Sequence, residues 1–350
     1  MADTAQAVRN AFLDQAAHCD VLGSPFNARL CRLVAEKLEH NSAVATRILS
    51  WPGDTTSAGD SVPLRLAGSL HALVLTGQNA DLATAYPPHM VDDNTLWAAV
   101  SSALTENEAF LQERLNSAPQ TNEVRRSAAL LPGFLTLASL FNLPLKLSEV
   151  GASAGLNLQW DRYGYQLGDF RWGDTSTVML TPEWHGPQPP QATITIAERA
   201  GCDLNPLDPA SVDHQTRLFS YVWPDQTDRL ERTKAALTMA AESHITVERH
   251  DAIDWLKARL HTPHDGQLHV IYHSVAWQYF PDALKAEGEA LIASAGEKAT
   301  VTAPLARLQM EADGNKGAAL SLQIWPTGEK REIGRADFHG RWVHWTGWDV

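Results

Sequence analysis

The first 143 residues carry a hydrophobic pattern with the period of an α-helix. Ser24 and Pro25 are typical of a helix start, an N-cap followed by proline at the first helical position. A further helical pattern runs from Thr121 to Phe141 and ends before Pro144, which cannot continue it. Between residues 92 and 116 the apolar positions form one stripe with helical spacing: Leu96, Val100, Ala103, Leu104, Leu111 and Leu115. We therefore predict an all-helical domain over residues 1–143.

After Pro144, short strand-like runs alternate with helical patterns. The strand-like runs are LKLSEV, ATITIAERAG, HITVERH, LHVIYHSV, ATVTAPLARLQM, AALSLQIW and RWVHWTGW. This alternation predicts an α/β fold with a parallel sheet covered by helices, in a second domain over residues 144–350. Because only a Pro-Thr-Gly turn and a short polar stretch separate the last two runs, we expect them to pair antiparallel. Residues 165–190, rich in Trp, Gly and Pro, are expected to form an inserted hairpin or flap.

Composition and charge narrow the class of protein and of partner. Hydrophobic residues make up 44% of the chain and charged residues 20%, which excludes an intrinsically disordered protein. The apolar stretches are all shorter than the roughly 18 residues of a membrane span, and the first residues lack the apolar core of a signal peptide. With 28 basic and 41 acidic residues the net charge is −13, which repels nucleic acid. We expect a small-molecule partner, with neither nucleic acid nor a membrane.

The cysteines and histidines predict no metal site. Cys19, Cys31 and Cys202 have neither metal-binding nor redox spacing, so we expect reduced thiols and a cytoplasmic location. The histidines between residues 261 and 273 cross a loop and a strand, without a cysteine or carboxylate at ligand spacing.

The most informative segment is the glycine-rich turn after the first strand of the second domain. Its sequence LKLSEVGASAGLNL predicts a strand, a tight turn of small residues and a helix start, whose free N–H groups would face a ligand. Gly151-Ala-Ser153-Ala-Gly155 also has the form G-x-S-x-G, the nucleophile elbow of serine hydrolases. That elbow belongs on a sheet of several earlier strands, whereas helical patterns precede it here. A nicotinamide or flavin site needs a glycine where Leu156 stands.

The pattern E-x-G-x-S-x-G from Glu149 to Gly155 resembles the first motif of class I S-adenosylmethionine-dependent methyltransferases, with Ser153 in place of the usual middle glycine. ITIAERAGCDLNP, ERHDA and LHVIYHSVAWQYF resemble the second, third and fourth strands of that superfamily. The resemblance covers roughly residues 144–350 and implies a Rossmann-like, seven-stranded methyltransferase-type sheet that binds S-adenosylmethionine. The segment EVGASAGLNLQWDRYGY, together with GCDLNP, YVWPDQ and HSVAWQY, resembles the sequences of a bacterial family of unknown function. Proteins of that family carry this domain behind a helical N-terminal region.

The resemblance also implies which residues hold the methionine and ribose parts of the cofactor. Gly151, Ser153 and Gly155 would lie under the methionine part, and Glu149 would orient its ammonium group. Asp203 would accept hydrogen bonds from both ribose hydroxyls. Asp203 lies much further from the turn than the roughly 20 residues of a dinucleotide-binding unit, which the expected insertion explains.

Further residues would contact the adenine and the transferable methyl group. Asp251 would meet the adenine amino group and the Ala252 N–H a ring nitrogen, although Asp251 is equally suited to be a helix N-cap. His273 and Ser274 would line the pocket near the methyl group. His273 is the one candidate for a general base, while a satisfied buried histidine is an equal alternative.

The predicted function is therefore methyl transfer to a small-molecule acceptor. Two alternatives stay open at this point: a serine hydrolase that uses Ser153, and a non-catalytic nucleotide-binding module. The acceptor does not follow from the sequence, because methyl transfer to a nucleophilic atom needs mainly proximity and alignment. The oligomeric state does not follow from it either.

Overall fold

The computed structural model describes residues 2–348. The chain divides into two compact units: the first comprises the residues up to Thr121 together with Val212–Glu231, and the second comprises Asn122–Ser211 and the residues from Arg232 onward. The sequence places a single boundary near residues 142–145. In the structure the segment 122–143 belongs to the second unit and the segment 212–231 to the first.

Twelve α-helices and twelve strands occur in the described part of the chain. The helices are α1 Ala2–Val21, α2 Pro25–Lys37, α3 Ala43–Leu49, α4 Val62–Leu75, α5 Ala80–Thr84, α6 Asp93–Glu106, α7 Glu108–Arg114, α8 Arg126–Phe141, α9 Val212–Ser220, α10 Thr227–Ser243, α11 Ala252–Arg259 and α12 Asp282–Gly296. The strands are β1 Leu145–Val150, β2 Gly164–Leu167, β3 Phe170–Trp172, β4 Met179–Leu180, β5 Glu183–His185, β6 Ile196–Asp203, β7 Val247–Arg249, β8 Leu268–Ser274, β9 Leu305–Ala312, β10 Ala318–Trp325, β11 Lys330–Ala336 and β12 Trp342–Trp345.

The first unit is helical, as its sequence pattern predicts. Helix α2 begins at Pro25, and the Ser24 Oγ accepts a hydrogen bond from the Asn27 N–H at 3.3 Å. The predicted stripe between residues 92 and 116 is buried, but it belongs to two helices, α6 and α7, that meet at Asn107. The Asn107 Oδ1 accepts a hydrogen bond from Asn79 at 2.7 Å, which fixes the break between them.

The second unit contains a mixed sheet of nine strands within residues 2–348, in the order β5-β12-β11-β10-β9-β8-β1-β6-β7. Strands β7, β6, β1, β8 and β9 are parallel, β9 to β12 form an antiparallel meander, and β5 pairs parallel with β12 at the edge. The predicted α/β class and the helical first part are confirmed. The strand count is nine, against the seven that the sequence predicts.

The expected pairing of the last two strand-like runs is wrong. Strand β11 lies between β10 and β12 and pairs antiparallel with both. Its sequence KREIGRA begins with three successive charged residues that solvent reaches, so it lacks the apolar run that identified the other strands. The polar stretch that the sequence assigns to a connection is itself a strand.

The connection from β1 to β6 contains a short 3-10 helix, Leu156–Arg162, where the sequence predicts the start of an ordinary helix. The inserted segment follows, and its strands β2, β3 and β4 form a small separate sheet. Two tyrosines that follow the 3-10 helix hold it: Tyr163 donates to the Leu156 carbonyl and Tyr165 to the Trp160 carbonyl, both at 2.6 Å. These bonds use carbonyl groups that a longer α-helix needs for its own ladder.

Helix α8 packs against the central strands at close range. It is buried from Arg126 to Ala138, and a Cβ on Gly133 would lie 2.5 Å from the Leu308 side chain of β9. Trp160 stacks on Phe134 of the same helix, with ring centroids 4.2 Å apart. Helices α11 and α12 contribute to a second apolar cluster, which includes Val150, Ile271 and Ile292. Of the helices within residues 2–348, none combines the length and the apolar character that crossing a bilayer requires.

Candidate functional site

The predicted site residues come together at the carboxyl ends of the parallel strands. The chain leaves β1 for β6 on one side, whereas β8 lies on the other side of β1. The order of strands in the sheet therefore reverses between β1 and β8. In open α/β sheets, ligands bind at such a reversal, beyond the carboxyl ends of the strands. All the predicted residues lie in or directly after the last residues of these strands: Glu149, Gly151, Ser153 and Gly155 at β1, Asp203 at β6, Asp251 and Ala252 at β7, and His273 and Ser274 at β8.

The turn after β1 has a left-handed backbone at three positions. Gly151 and Gly155 have φ of 71°, and Ser153 has φ of 53°. A side chain in this region costs on the order of 1 kcal/mol, which glycine avoids. A Cβ on Gly151 would lie 2.6 Å from the Cβ of Ala276, so the loop after β8 lies directly against the turn. Ser153 therefore occupies a position that glycine would adopt with less strain.

The backbone N–H groups of this turn are bound by the protein itself. Gly151 and Ala152 donate to the Cys202 carbonyl at 2.9 and 3.0 Å. Ala154 and Leu156 donate to the Asn122 Oδ1 at 3.2 and 2.9 Å. The expectation that free N–H groups of a helix start face the ligand is therefore wrong for these four groups. These four N–H groups of the turn are therefore not available to a ligand.

Asp203 joins the end of β6 to the turn. Its Oδ2 accepts a hydrogen bond from the Ser153 N–H at 2.9 Å, and its Oδ1 accepts one from the Asn205 N–H at 2.8 Å. Each carboxylate oxygen has two lone pairs, so each keeps one for a further donor. The residue is half-buried, which leaves the carboxylate open on one side. Asp203 combines a structural contact with free acceptor capacity.

The Ser153 hydroxyl is an unsatisfied polar group at the same point. Ser153 is 4% exposed, and its Oγ has no hydrogen-bond partner among residues 2–348. A buried hydroxyl without a partner costs about 1–3 kcal/mol, so native structures rarely keep one without a role. No histidine of the described chain is bonded to it, which distinguishes it from an activated nucleophile.

Glu149 is a buried carboxyl group just before the turn. Burial raises its pKa well above the ordinary value of a glutamate, and the charge of Asp203 raises it further. A hydrogen bond from the Tyr272 hydroxyl, at 3.3 Å from Oε2, and the charge of Arg126 act in the opposite direction. The side chain is therefore protonated at pH values where an exposed glutamate is charged.

Asp251 is the N-cap of helix α11. Its Oδ1 accepts hydrogen bonds from the N–H groups of Ile253 and Asp254 at 2.9 and 3.2 Å. Of the two roles predicted for Asp251, the structure shows the helix N-cap. Because both of these bonds use Oδ1, the adenine contact through Asp251 and the neighbouring Ala252 N–H stays a prediction.

His273 lies inside the sheet, with both ring nitrogens occupied. Its Nδ1 donates to the Glu311 Oε1 at 2.7 Å, and its Nε2 accepts from the Arg307 Nε at 3.1 Å. The ring is fully buried and stacks on Trp277 at 5.1 Å. Burial lowers the pKa of His273, and Arg307 lowers it too, against the opposing effect of Glu311. The general-base role is not supported by this geometry, because neither nitrogen is free to take a proton.

Glu311 holds the loop that follows β8. Its Oε1 accepts from the N–H groups of Ala276 and Trp277 at 3.0 and 3.1 Å, and its Oε2 accepts from the Gln278 N–H at 3.2 Å. Val275, at the start of this loop, has φ of 52°, which is rare for a β-branched residue. Strained backbone of this kind concentrates at functional sites. Here it occurs at the ends of both β1 and β8.

Arg126 and Ser274 connect β8 to helix α8. The Arg126 Nη1 donates to the Ser274 carbonyl at 3.0 Å, and its Nε donates to the Phe338 carbonyl at 2.9 Å. Sequence reasoning missed Arg126, together with Asn122 and Glu311. An acidic residue near the end of an otherwise apolar strand, as Glu311 is in LARLQMEA, is the one signal that could have identified a member of this group.

The structure has a cavity outside this site and no group of metal-binding side chains among the described residues. A cavity of about 420 Å³ lies between α12 and strand β10 and is lined by Glu289, Ile292, Trp325 and Lys330, among others. No predicted site residue lines it. Within residues 2–348, no three His, Cys, Asp or Glu side chains are grouped closely enough to hold a metal ion.

Comparison with known proteins gives one match. The profile of a protein family described as "Uncharacterized protein conserved in bacteria (DUF2332)" matches residues 9–345. No curated protein and no solved structure matches the chain. The family match covers nearly the whole sequence and both structural units. The chain therefore belongs to this bacterial family.

Proposed function

We propose that the second unit binds S-adenosylmethionine and transfers its methyl group to a small-molecule acceptor. The observation that carries the proposal is the set of side chains at the point between β1 and β8 where strand connections reverse. If the five parallel strands β1, β6, β7, β8 and β9 are numbered 1 to 5 in chain order, their order across the sheet is 3-2-1-4-5. This is the order found in nucleotide-binding doubly wound sheets. The additional antiparallel strands enlarge this sheet at the opposite edge.

The residues present fit the chemistry of this cofactor. Each oxygen of Asp203 keeps an unused lone pair. A ribose offers two hydroxyl donors, which matches a carboxylate that already binds one N–H on each oxygen. The buried Glu149 would form an ion pair with the ammonium group of the cofactor, because a positive charge close to the carboxyl group lowers its pKa and favours the ionised form.

The proposed roles follow from these positions. Asp203 would bind the ribose, Glu149 the ammonium group, and Asp251 with the Ala252 N–H the adenine. Gly151, Ser153 and Gly155 would lie under the methionine part, and Ser274 near the methyl group. When bound, the sulfonium would supply an electrophilic methyl group, whose transfer to a nucleophilic acceptor atom would leave S-adenosylhomocysteine and need no protein base. We therefore assign His273 to positioning the loop after β8.

The location and the partner class belong to the same proposal. The three cysteines are free and buried, in agreement with reduced thiols in a cytoplasm. A net charge of −13 favours a small-molecule acceptor over nucleic acid.

Asp203→Ala tests the cofactor site. We expect the dissociation constant for S-adenosylmethionine to rise roughly 5- to 150-fold, because ribose hydroxyls lose their acceptor. Calorimetry gives this constant, and the melting temperature shows whether the turn still folds. Asp265→Ala, which removes an exposed carboxylate of the same unit, is the matched control and should bind as the wild type does. Unchanged affinity in a folded Asp203→Ala protein would exclude the ribose contact.

Ser153→Gly separates the methyltransferase from the serine hydrolase, the second candidate, which the G-x-S-x-G form of the turn suggests. Because φ is 53° at this position, glycine should raise the free energy of unfolding by about 0.5–1 kcal/mol and preserve cofactor binding. We expect no labelling of the wild type by a fluorophosphonate probe, since no histidine bonds to Ser153 within residues 2–348. Stoichiometric labelling at Ser153 that disappears in Ser153→Gly would establish the hydrolase instead.

A further inference from the structure

Two arginines of the first unit lie close together beside a tyrosine. Arg114 is the last residue of α7, and Arg217 lies on α9. The Ser220 Oγ connects them: it accepts a hydrogen bond from the Arg114 Nη2 at 3.2 Å and donates to the Arg217 carbonyl at 2.7 Å. Tyr221 lies within the electrostatic reach of both guanidinium groups. Burial and the charge of Arg217 both lower the pKa of Arg114.

These two guanidinium groups lack a counter-ion in the described chain. The Arg217 Nε is buried without a hydrogen-bond partner, and no ion pair of residues 2–348 includes either arginine. The acidic residues whose charges act on Arg114, Glu113 and Asp213, are exposed and form no ion pair with it in this part of the structure. Arg114 and Arg217 are thus two like charges that act on each other, and Arg217 has a buried donor without a partner within residues 2–348.

A neighbouring arginine shows how the same unit satisfies a guanidinium that has only a structural role. The Arg65 Nε donates to the Asp60 carbonyl at 2.6 Å, and its Nη1 donates to the Leu115 carbonyl at 3.0 Å. The Asp60 carboxylate lies 3.7 Å from its Nη2. Arg217 has none of these partners within residues 2–348. Hydrogen bonds and an ion pair within the protein explain the position of the Arg65 guanidinium, but they do not explain that of Arg217.

The surroundings hold Tyr221 and Arg114 in place. A Cβ on Gly68 of α4 would lie 2.5 Å from the Tyr221 ring, so α4 and α9 are in close contact. The Tyr221 hydroxyl donates to the Ser117 carbonyl at 3.3 Å, and the Arg114 guanidinium lies 5.5 Å from the Phe110 ring centroid. These contacts place Arg114 and Tyr221 beside α9, which carries Arg217.

We propose that Arg114 and Arg217 form a binding site for the phosphate group of a small ligand. Guanidinium groups bind oxyanions through paired N–H donors, and such charge-assisted bonds are shorter and stronger than neutral ones. A dianionic phosphate neutralises both charges, whereas a monocarboxylate neutralises one. The site belongs to the first unit and does not depend on the cofactor proposed for the second unit.

The test is a titration of the full-length protein with inorganic phosphate, in which sodium chloride keeps the ionic strength constant. Calorimetry should show saturable binding at one site, and the NMR resonance of the Arg217 Nε–H should shift along the same curve. Arg217→Ala and Arg114→Ala should each weaken binding roughly tenfold or more. Arg32→Ala, which removes an exposed charge paired with Asp20 in the same unit, should leave it unchanged.

The outcomes separate a specific site from a general charge effect. Equal loss in Arg32→Ala and Arg217→Ala would overturn the proposal, as would the absence of saturation or equally tight binding of acetate. Arg217→Lys keeps the charge but not the paired donors, so it should bind phosphate more weakly than the wild type. The Nε–H resonance tests the site in the unmodified protein, even where a variant fails to fold.

Discussion

Glu311→Ala is expected to lower the free energy of unfolding by about 3–5 kcal/mol, the largest stability effect that we predict for a single side chain. The Glu311 side chain is 12% exposed and ionised, since its hydrogen bonds hold its pKa below the ordinary value against the effect of burial. It accepts from His273 and from three backbone N–H groups of the loop after β8. Alanine would leave all four donors unsatisfied and the charge of Arg307 less compensated.

Urea unfolding of the full chain measures this effect, and hydrogen exchange of residues 275–279 locates it. Glu329→Ala is the matched control: Glu329 is 40% exposed and pairs with Arg331, so its loss should cost about 0–1 kcal/mol. A change below about 1 kcal/mol in Glu311→Ala would show that the loop does not depend on this carboxylate.

Glu149→Gln should make the protein more stable above about pH 5, by an amount that grows with pH. The pKa of Glu149 is raised in the folded state, so the folded protein keeps a proton that the unfolded chain releases near the ordinary pKa of about 4.3. The free energy of unfolding of the wild type therefore falls as pH rises from there toward the raised pKa. Glu149 contributes at most about 1.4 kcal/mol per pH unit to the slope of the free energy of unfolding against pH. Replacement by glutamine removes this contribution.

Unfolding curves of wild type and variant at several pH values between 5 and 8 test this prediction. Glu297→Gln, at an exposed position of the same unit, should show a small difference that does not vary with pH. A pH-independent difference for Glu149→Gln would mean that the group is already ionised in the folded state, through Arg126 or another partner. In that case the folded protein would not hold the additional proton that this prediction requires.

The two central strands of the parallel half were predictable because they are buried on both faces. Strands β1 and β8 are buried at every position, and such continuous apolar runs stand out in a sequence. Strand β11 was missed because its charged residues face solvent. The 3-10 helix after the turn was missed because its shape depends on hydrogen bonds from Tyr163 and Tyr165, which follow it in the chain.

The candidate site was predictable to the extent that it follows strand ends. The positions of Glu149, Asp203 and Asp251 follow from the ends of β1, β6 and β7. Their partners do not, because Asn122 reaches the turn from 32 and 34 residues away and Glu311 contacts His273 from 38 residues away. Spacing along one sequence carries no information about such contacts.

The measurement that tests the central claim most directly is calorimetry of the wild-type protein with S-adenosylmethionine, S-adenosylhomocysteine and NAD. The account predicts saturable binding of both sulfur compounds at one site and no binding of NAD, because Leu156 stands where a dinucleotide site needs glycine. Binding of neither sulfur compound by folded protein would contradict the account, and binding of NAD alone would replace the proposed cofactor.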